Sequence, residues 1–197
     1  MKAKTALRAM IGLSLVAGTV VATRPANATV LKNFVNEYAT NGAGGQGWCM
    51  GVSGGNPASG TPLIVWDCNG NADQNWTPAT FWGSFIQLKS GINSSLCAGL
   101  SGGATSNGTQ LKNISCHSTP NGSDDQGWLP VFATWDATGH SCNIYQNEKY
   151  HSQIAGHNPP LPERVFGASG GAGNVKNGTN IILWDQNGNS DQTWCSY

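Results

Sequence analysis

The 197-residue sequence predicts an all-β domain built from one unit used three times. Three observations carry that prediction. The tetrapeptide Asp-Gln-x-Trp occurs at Asp73-Gln74-Asn75-Trp76, at Asp125-Gln126-Gly127-Trp128 and at Asp191-Gln192-Thr193-Trp194. Each copy closes a longer block of shared context, and recurrence in a fixed register marks a repeated structural unit. The apolar runs Leu63 to Trp66, Leu96 to Leu100 and Ile181 to Trp184 are short, are bounded by Gly, Asn, Ser and Asp, and show no sustained helical period. That is the pattern of strands joined by tight turns.

The first block reads Cys49-Met50-Gly51-Val52-Ser53-Gly54-Gly55, then Gly60-Thr61, Leu63 and Trp66, before its motif. The second reads Cys97-Ala98-Gly99-Leu100-Ser101-Gly102-Gly103, then Gly108-Thr109, Leu111 and Ile114. The third reads Val165-Phe166-Gly167-Ala168-Ser169-Gly170-Gly171, then Gly178-Thr179, Ile181 and Trp184. Thr precedes the Trp or Ile by five residues in all three, so only the loops between vary. A large ring recurring once per unit at a strand end reads as a core anchor, and Trp76, Trp128 and Trp194 are expected to fill a common core near a threefold axis. The neighbouring Gln is expected to bond backbone groups, as a buried amide must.

This pattern of Gln-x-Trp, preceded by a Cys-to-Cys segment and a Gly-Thr-x-Leu-x-x-Trp strand, resembles the ricin B-type lectin family. The resemblance implies a β-trefoil of three subdomains and, as function, carbohydrate binding.

In chain order, residues 1–28 read as a targeting segment, with Lys2, Lys4 and Arg8 before the apolar Ala9 to Ala22 and a small-residue cleavage site at Ala26-Asn27-Ala28. Removal is expected after Ala28, with Ala22 as the alternative and an uncleaved anchor as the rival reading. Residues 29–197 are long enough for one domain with a proper core. They retain six basic against ten acidic residues, a charge of about −4. No basic patch remains to attract nucleic acid or an anionic membrane, so neither is expected as a partner, nor is membrane insertion once the leader is gone. An exported monomer is the expectation, with subdomains at 29–79, 80–131 and 132–197. The first opens with a strand from Val30 to Tyr38 and the second with Phe85-Ile86-Gln87-Leu88.

Six Cys in an exported chain predict disulfides. Cys49 and Cys68 occupy the same places in the first unit as Cys97 and Cys116 in the second, so each pair is expected to staple its own unit. Val165 and Gln186 stand at those places in the third, which leaves Cys142 to pair with Cys195. Six Cys permit fifteen pairings, and repeat logic alone selects this one. The Cys spacing lacks any Cys-x-x-Cys, so no metal or cofactor is expected there. Between Cys142 and Val165 the third unit carries an insertion with Tyr150, His151, His157 and Pro159-Pro160, expected as a surface loop.

Sugar binding needs a flat aromatic face and planar polar groups for paired hydroxyls. The family resemblance places the stacking aromatic two residues before the second Cys of a unit, at Trp66, Ile114 and Trp184. It places the polar pair at the residue before the motif Gln together with that Gln. The candidate carbohydrate-binding residues are therefore Trp66, Asp73 and Gln74 in the first unit and Trp184, Asp191 and Gln192 in the third, and the second unit keeps less. Two departures stand out: Asp replaces the family's usual Asn before Gln, and Gly51, Gly99 and Gly167 replace its carboxylate two residues after the first Cys. Asp73 and Asp191 are the substitute acceptors, with Ser53 and Ser169 as nearby donors. The competing reading makes Trp66 and Trp184 plain strand aromatics, Ser-Gly-Gly a turn, and the Asp residues hairpin caps.

No catalytic residues are assigned. His117, His140, His151 and His157 stand without a nucleophile or zinc-protease motif, and the carboxylates Asp67, Asp73, Asp124 and Asp125 follow the repeat. The His residues of the insertion lack companions for a metal. The alternative to a lectin is a protein-interaction or inhibitor module, for which Tyr145, Tyr150 and Pro159-Pro160 offer a contact surface.

Overall fold

The computed structural model describes residues 28–33, 47–119 and 124–197. The leader expected over residues 1–28 therefore lies outside the described residues except for Ala28. Among the described residues twelve strands follow one another: β1 (Thr29–Asn33), β2 (Trp48–Val52), β3 (Thr61–Asp67), β4 (Asn75–Trp82), β5 (Phe85–Ser90), β6 (Leu96–Leu100), β7 (Leu111–Ser115), β8 (Trp128–Trp135), β9 (Ser141–Asn147), β10 (Arg164–Ala168), β11 (Thr179–Asp185) and β12 (Trp194–Ser196). The strand expected from Val30 to Tyr38 is seen as β1, and its remainder falls outside the described residues.

Every pairing among the described residues is antiparallel, and six strands close a ring. β1 pairs with β4, β4 with β5, β5 with β8, β8 with β9, β9 with β12, and β12 with β1 again. Closure leaves this barrel no free edge for unwanted pairing. The other six strands form hairpins β2–β3, β6–β7 and β10–β11, and these meet one another through β3–β7 and β11–β3 pairings and a bridge between Gln110 and Ile182. A six-stranded barrel capped by three hairpins is a β-trefoil.

The repeat reaches the register. Cys49 faces Trp66, Cys97 faces Ile114 and Val165 faces Trp184, and two residues on, Gly51, Gly99 and Gly167 face Ile64, Lys112 and Ile182. Strand side chains alternate faces, so in each hairpin the Trp or Ile position shares a face with that glycine.

Trp76, Trp128 and Trp194 are fully buried in one core with Leu31, Leu63, Leu88, Leu111, Phe166 and Leu183. Phe166 lies 5.1 Å from Trp128 and 5.4 Å from Trp194, ring centre to ring centre, so it bridges two of the anchors. Each indole Nε1 donates to the carbonyl just after the first Cys position, at Met50 (3.0 Å), Ala98 (3.0 Å) and Phe166 (3.3 Å). A buried indole thus keeps its one polar group satisfied while its ring fills the core.

Disulfides join Cys49 to Cys68, Cys97 to Cys116 and Cys142 to Cys195, the pairing the repeat predicts. The insertion differs from its expectation as a surface loop. Its first part continues β9 to Asn147, and a seven-residue helix, α1 (Glu148–Ile154), follows. Asn147 Oδ1 accepts from Tyr150 N at 3.2 Å, which satisfies one of the free N–H groups at the helix start, and Glu148 and Tyr150 point inward and are buried. Trp82, Phe132 and Trp135 stand exposed on the β4–β5 and β8–β9 hairpins, outside the core.

Candidate functional site

Two hollows on the hairpin layer are made by equivalent residues of the first and third units. Gly51, Val52, Ile64, Trp66, Asn69 and Asp73 line the first, about 220 Å³ in volume. Gly167, Ala168, Ile182, Trp184, Asn187 and Asp191 line the second, about 360 Å³. Both volumes sit near or below the low end of ordinary small-molecule sites, the size for one ring rather than an extended ligand. Trp66 and Trp184 are 42% and 44% exposed, so each offers part of its ring to solvent while the rest is held. The holding group belongs to a neighbouring unit: a Cβ on Gly178 would stand 4.0 Å from Trp66 Cζ3, and one on Gly108 3.9 Å from Trp184 Cζ3. Asn177 Nδ2 donates to Asp67 Oδ2 and Asn107 Nδ2 to Asp185 Oδ2, both at 2.8 Å, and these bonds clamp the same loops to the residue following each Trp.

The glycines at the base explain where the carboxylates go. A Cβ on Gly51 would lie 3.2 Å from Asp73 Oδ2, so the Asp73 carboxylate occupies the space a side chain there would take. At Gly167 the nearest groups are Gln192 Cγ at 2.9 Å and the Asp191 carbonyl oxygen at 3.1 Å, so the motif turn itself closes in. Burial pushes the carboxyls of Asp73 and Asp191 above the ordinary Asp value, against a smaller opposing pull from backbone hydrogen bonding.

Gln74 and Gln192 are placed differently from their expected role beside the ligand. Both are 1% exposed. Gln74 Oε1 accepts from Asn69 N (2.9 Å) while its Nε2 donates to Asp67 O (2.8 Å). Gln192 repeats this with Asn187 N and Asp185 O, both at 2.9 Å. With carbonyl and amino groups engaged on the backbone, each Gln shapes the loop behind the hollow. Ser169 lines the second hollow, whereas Ser53 is not among the residues lining the first.

Asn69 and Asn187, three residues after each Trp, were not singled out from the sequence. Their Oδ1 atoms accept from Asn71 N and Asn189 N at 2.9 Å, which leaves each Nδ2 without a protein partner among the described residues at the wall of a hollow. Alignment of the repeats on Thr and Trp puts both at one offset, and that was the available signal.

The second unit departs from the other two at the same positions. Ile114 takes the Trp position, and a Cβ on Gly99 would lie 2.7 Å from Ile114 Cδ1, so the isoleucine fills the floor. His117 stands at the Asn69 position, and its Nδ1 meets Asp124 Oδ2 at 2.8 Å and Asp125 Oδ1 at 3.8 Å. From the inserted helix, Lys149 Nζ donates to Gly103 O at 2.7 Å across the Ser101–Gly103 turn. Glu148 lies beneath, its carboxyl pushed up to about 7 by burial and by the charge of Asp124.

The ricin-type β-trefoil lectin domain model matches residues 39–133. No curated protein sequence matches the chain. Solved structures share its fold at low identity. The designed threefold-symmetric protein ThreeFoil superimposes with a TM-score of 0.64 at 15% identity, over 86% of this chain and 97% of its own. The Macrolepiota procera ricin B-like lectin in complex with lactose gives 0.56 at 18% identity, over 86% and 93%. An exo-β-1,3-galactanase from Clostridium thermocellum gives 0.64 at 14% identity, over 87% of this chain but 30% of the enzyme. The family match covers residues 39–133, in the first two units, and the third unit repeats their register, core indole and buried Gln, so the likeness to ricin B-type β-trefoil lectins runs through all three.

Proposed function

We propose that the protein is an exported, non-catalytic carbohydrate-binding module whose ligands sit in the hollows at Trp66 and Trp184. The observation that carries this reading is the coincidence, twice in one chain, of a half-exposed indole, an Asp of the repeated motif in the lining, and an Asn side chain at the wall. An indole face suits the C–H side of a pyranose, a carboxylate accepts from one hydroxyl, and an amide N–H donates to the next. The neighbouring unit holds each ring in place before any ligand arrives, which lowers the ordering cost of binding.

Each hollow is shallow and takes one sugar ring, so affinity per site is low. Two sites on one rigid body gain apparent affinity for polymeric glycans, because the second contact becomes intramolecular. Export follows from the basic, apolar and small-residue order of residues 1–28.

The test is Trp66→Ala with Trp184→Ala, each alone and together, on a glycan array and by calorimetry. Each single variant is expected to halve the stoichiometry, and the double variant to abolish binding with the thermal transition preserved. A wild-type protein that binds no glycan, or a double variant that binds unchanged, overturns the reading.

A further inference from the structure

The second unit departs from its sisters at several places, and the departures converge. His117 replaces Asn69 and Asn187, Asp124 replaces Ala72 and Ser190, Gly127 replaces Asn75 and Thr193, and the inserted helix brings Glu148. Folding gathers ligand atoms of His117, Asp124 and Asp125 within 4.8 Å of one another. His117 is open to solvent, whereas Asp124 and Asp125 are 2% and 8% exposed.

We infer that His117, Asp124 and Asp125 form a binding site for a divalent transition-metal ion of the zinc class, backed by the buried carboxylate of Glu148. The donor set of one imidazole nitrogen and two carboxylate oxygens is that of zinc and its neighbours; calcium, which takes six to eight oxygens, has little use for the imidazole. Tetrahedral bonds of about 2.0–2.1 Å place ligand atoms roughly 3.3–3.4 Å apart. The two separations from His117 Nδ1, 2.8 Å to Asp124 and 3.8 Å to Asp125, bracket that value. A neutral imidazole and two carboxylates balance the ion's charge, and the exposed side of His117 leaves a coordination position facing water.

Glu148 is the independent observation. It is 2% exposed and neither carboxylate oxygen has a hydrogen-bond partner. It occupies the space in front of Gly127, where a Cβ would fall 1.9 Å from its Oε2, within the turn that carries Asp124 and Asp125. That turn is bonded to the helix start, since Gly127 N donates to Asp124 O (3.3 Å), Glu148 N to Gly127 O (2.9 Å) and Lys149 N to Asp124 O (3.2 Å). A buried carboxyl without a donor is relieved either by holding its proton or by a positive charge beside it. Lys149 supplies one charge against three carboxylates, and a divalent ion supplies the rest.

The experiment is calorimetric titration of the disulfide-bonded protein with zinc chloride at neutral pH, with metal content measured after dialysis. One zinc per chain is expected. His117→Asn installs the residue that the sister units carry at this position, so the fold is expected to survive. It should lower zinc affinity by at least roughly tenfold. Asp125→Asn should do the same, with glycan binding at Trp66 and Trp184 unchanged in both. Absence of stoichiometric uptake by the wild type, or equal uptake by H117N and D125N, overturns the assignment. So does calcium binding that ignores the loss of His117.

Discussion

Gly51 makes room for Asp73, and the first hollow depends on that exchange. The backbone there is extended, so alanine meets no conformational penalty, but its Cβ would crowd Asp73 Oδ2 and Gln74 Cγ at 3.2 Å. Gly51→Ala is therefore expected to leave the fold intact and to displace the carboxylate. Affinity at the first site should fall by roughly a factor of ten, about the worth of one hydrogen bond to a charged group, while the third-unit site is unchanged. Calorimetry on the Trp184→Ala background isolates that effect. The pH dependence follows from the same groups. Burial raises the carboxyls of Asp73 and Asp191, so they take up protons at a higher pH than an ordinary Asp does. A protonated carboxyl loses an acceptor site, so glycan affinity should decline on acidification before the usual Asp range is reached. Asp73→Asn with Asp191→Asn should flatten the profile, and an unchanged profile would count against these carboxylates as ligands.

At the scale of elements, the loop between each hairpin and its barrel strand hangs on one glutamine. Gln74→Ala would leave Asn69 N and Asp67 O without their side-chain partners beneath the hollow, at a cost of about 1–3 kcal/mol measurable by urea denaturation. The tip of the β8–β9 hairpin hangs on Asp136 in the same way. Burial alone would raise its carboxyl, but hydrogen bonds from Tyr197, from His140 N at 2.7 Å and from Thr138 outweigh that and hold it well below the usual range. A carboxyl lowered by folding stabilises the native state above its unfolded value, near 4, and the contribution is lost as pH falls through the folded value. Asp136→Asn should remove that part of the acid limb of the stability curve. These loops also mark how far the sequence could be read. Strand positions, the three indoles and two of the disulfides were legible because the repeat states each of them two or three times, and the third disulfide followed by exclusion. The helix α1 was not, since it occurs once; its Asn147 cap and first-turn Glu148 were the local signal, overshadowed by the prolines at 159 and 160. The roles of Gln74 and Gln192 were half legible. A buried amide must be satisfied, but which backbone groups take its two ends depends on how the loop folds back over it.

The whole molecule is closed by its last strand. β12 lies between β1 and β9, so the barrel ring forms only when the C-terminus returns to the N-terminal strand, and Cys195 faces Cys142 across that final seam. The other two disulfides each close a segment of 19 residues inside one unit, whereas Cys142–Cys195 spans 53 and ties two barrel strands together. In the chain-entropy model the longer closure stabilises by about 4 kcal/mol and each shorter one by about 3. Topology widens the difference. Opening Cys49–Cys68 or Cys97–Cys116 loosens one hairpin whose strands still pair with each other, while opening Cys142–Cys195 frees a three-residue strand to fray from both neighbours at once. Replacing Cys142 and Cys195 by Ser should therefore lower the thermal midpoint more than replacing either other pair. Hydrogen exchange should rise first in β1, β9 and β12. If the three pairs prove equivalent, or if exchange in the double variant rises evenly around the barrel, the ring does not depend on that seam and closes through the packing of Trp76, Trp128 and Trp194 alone.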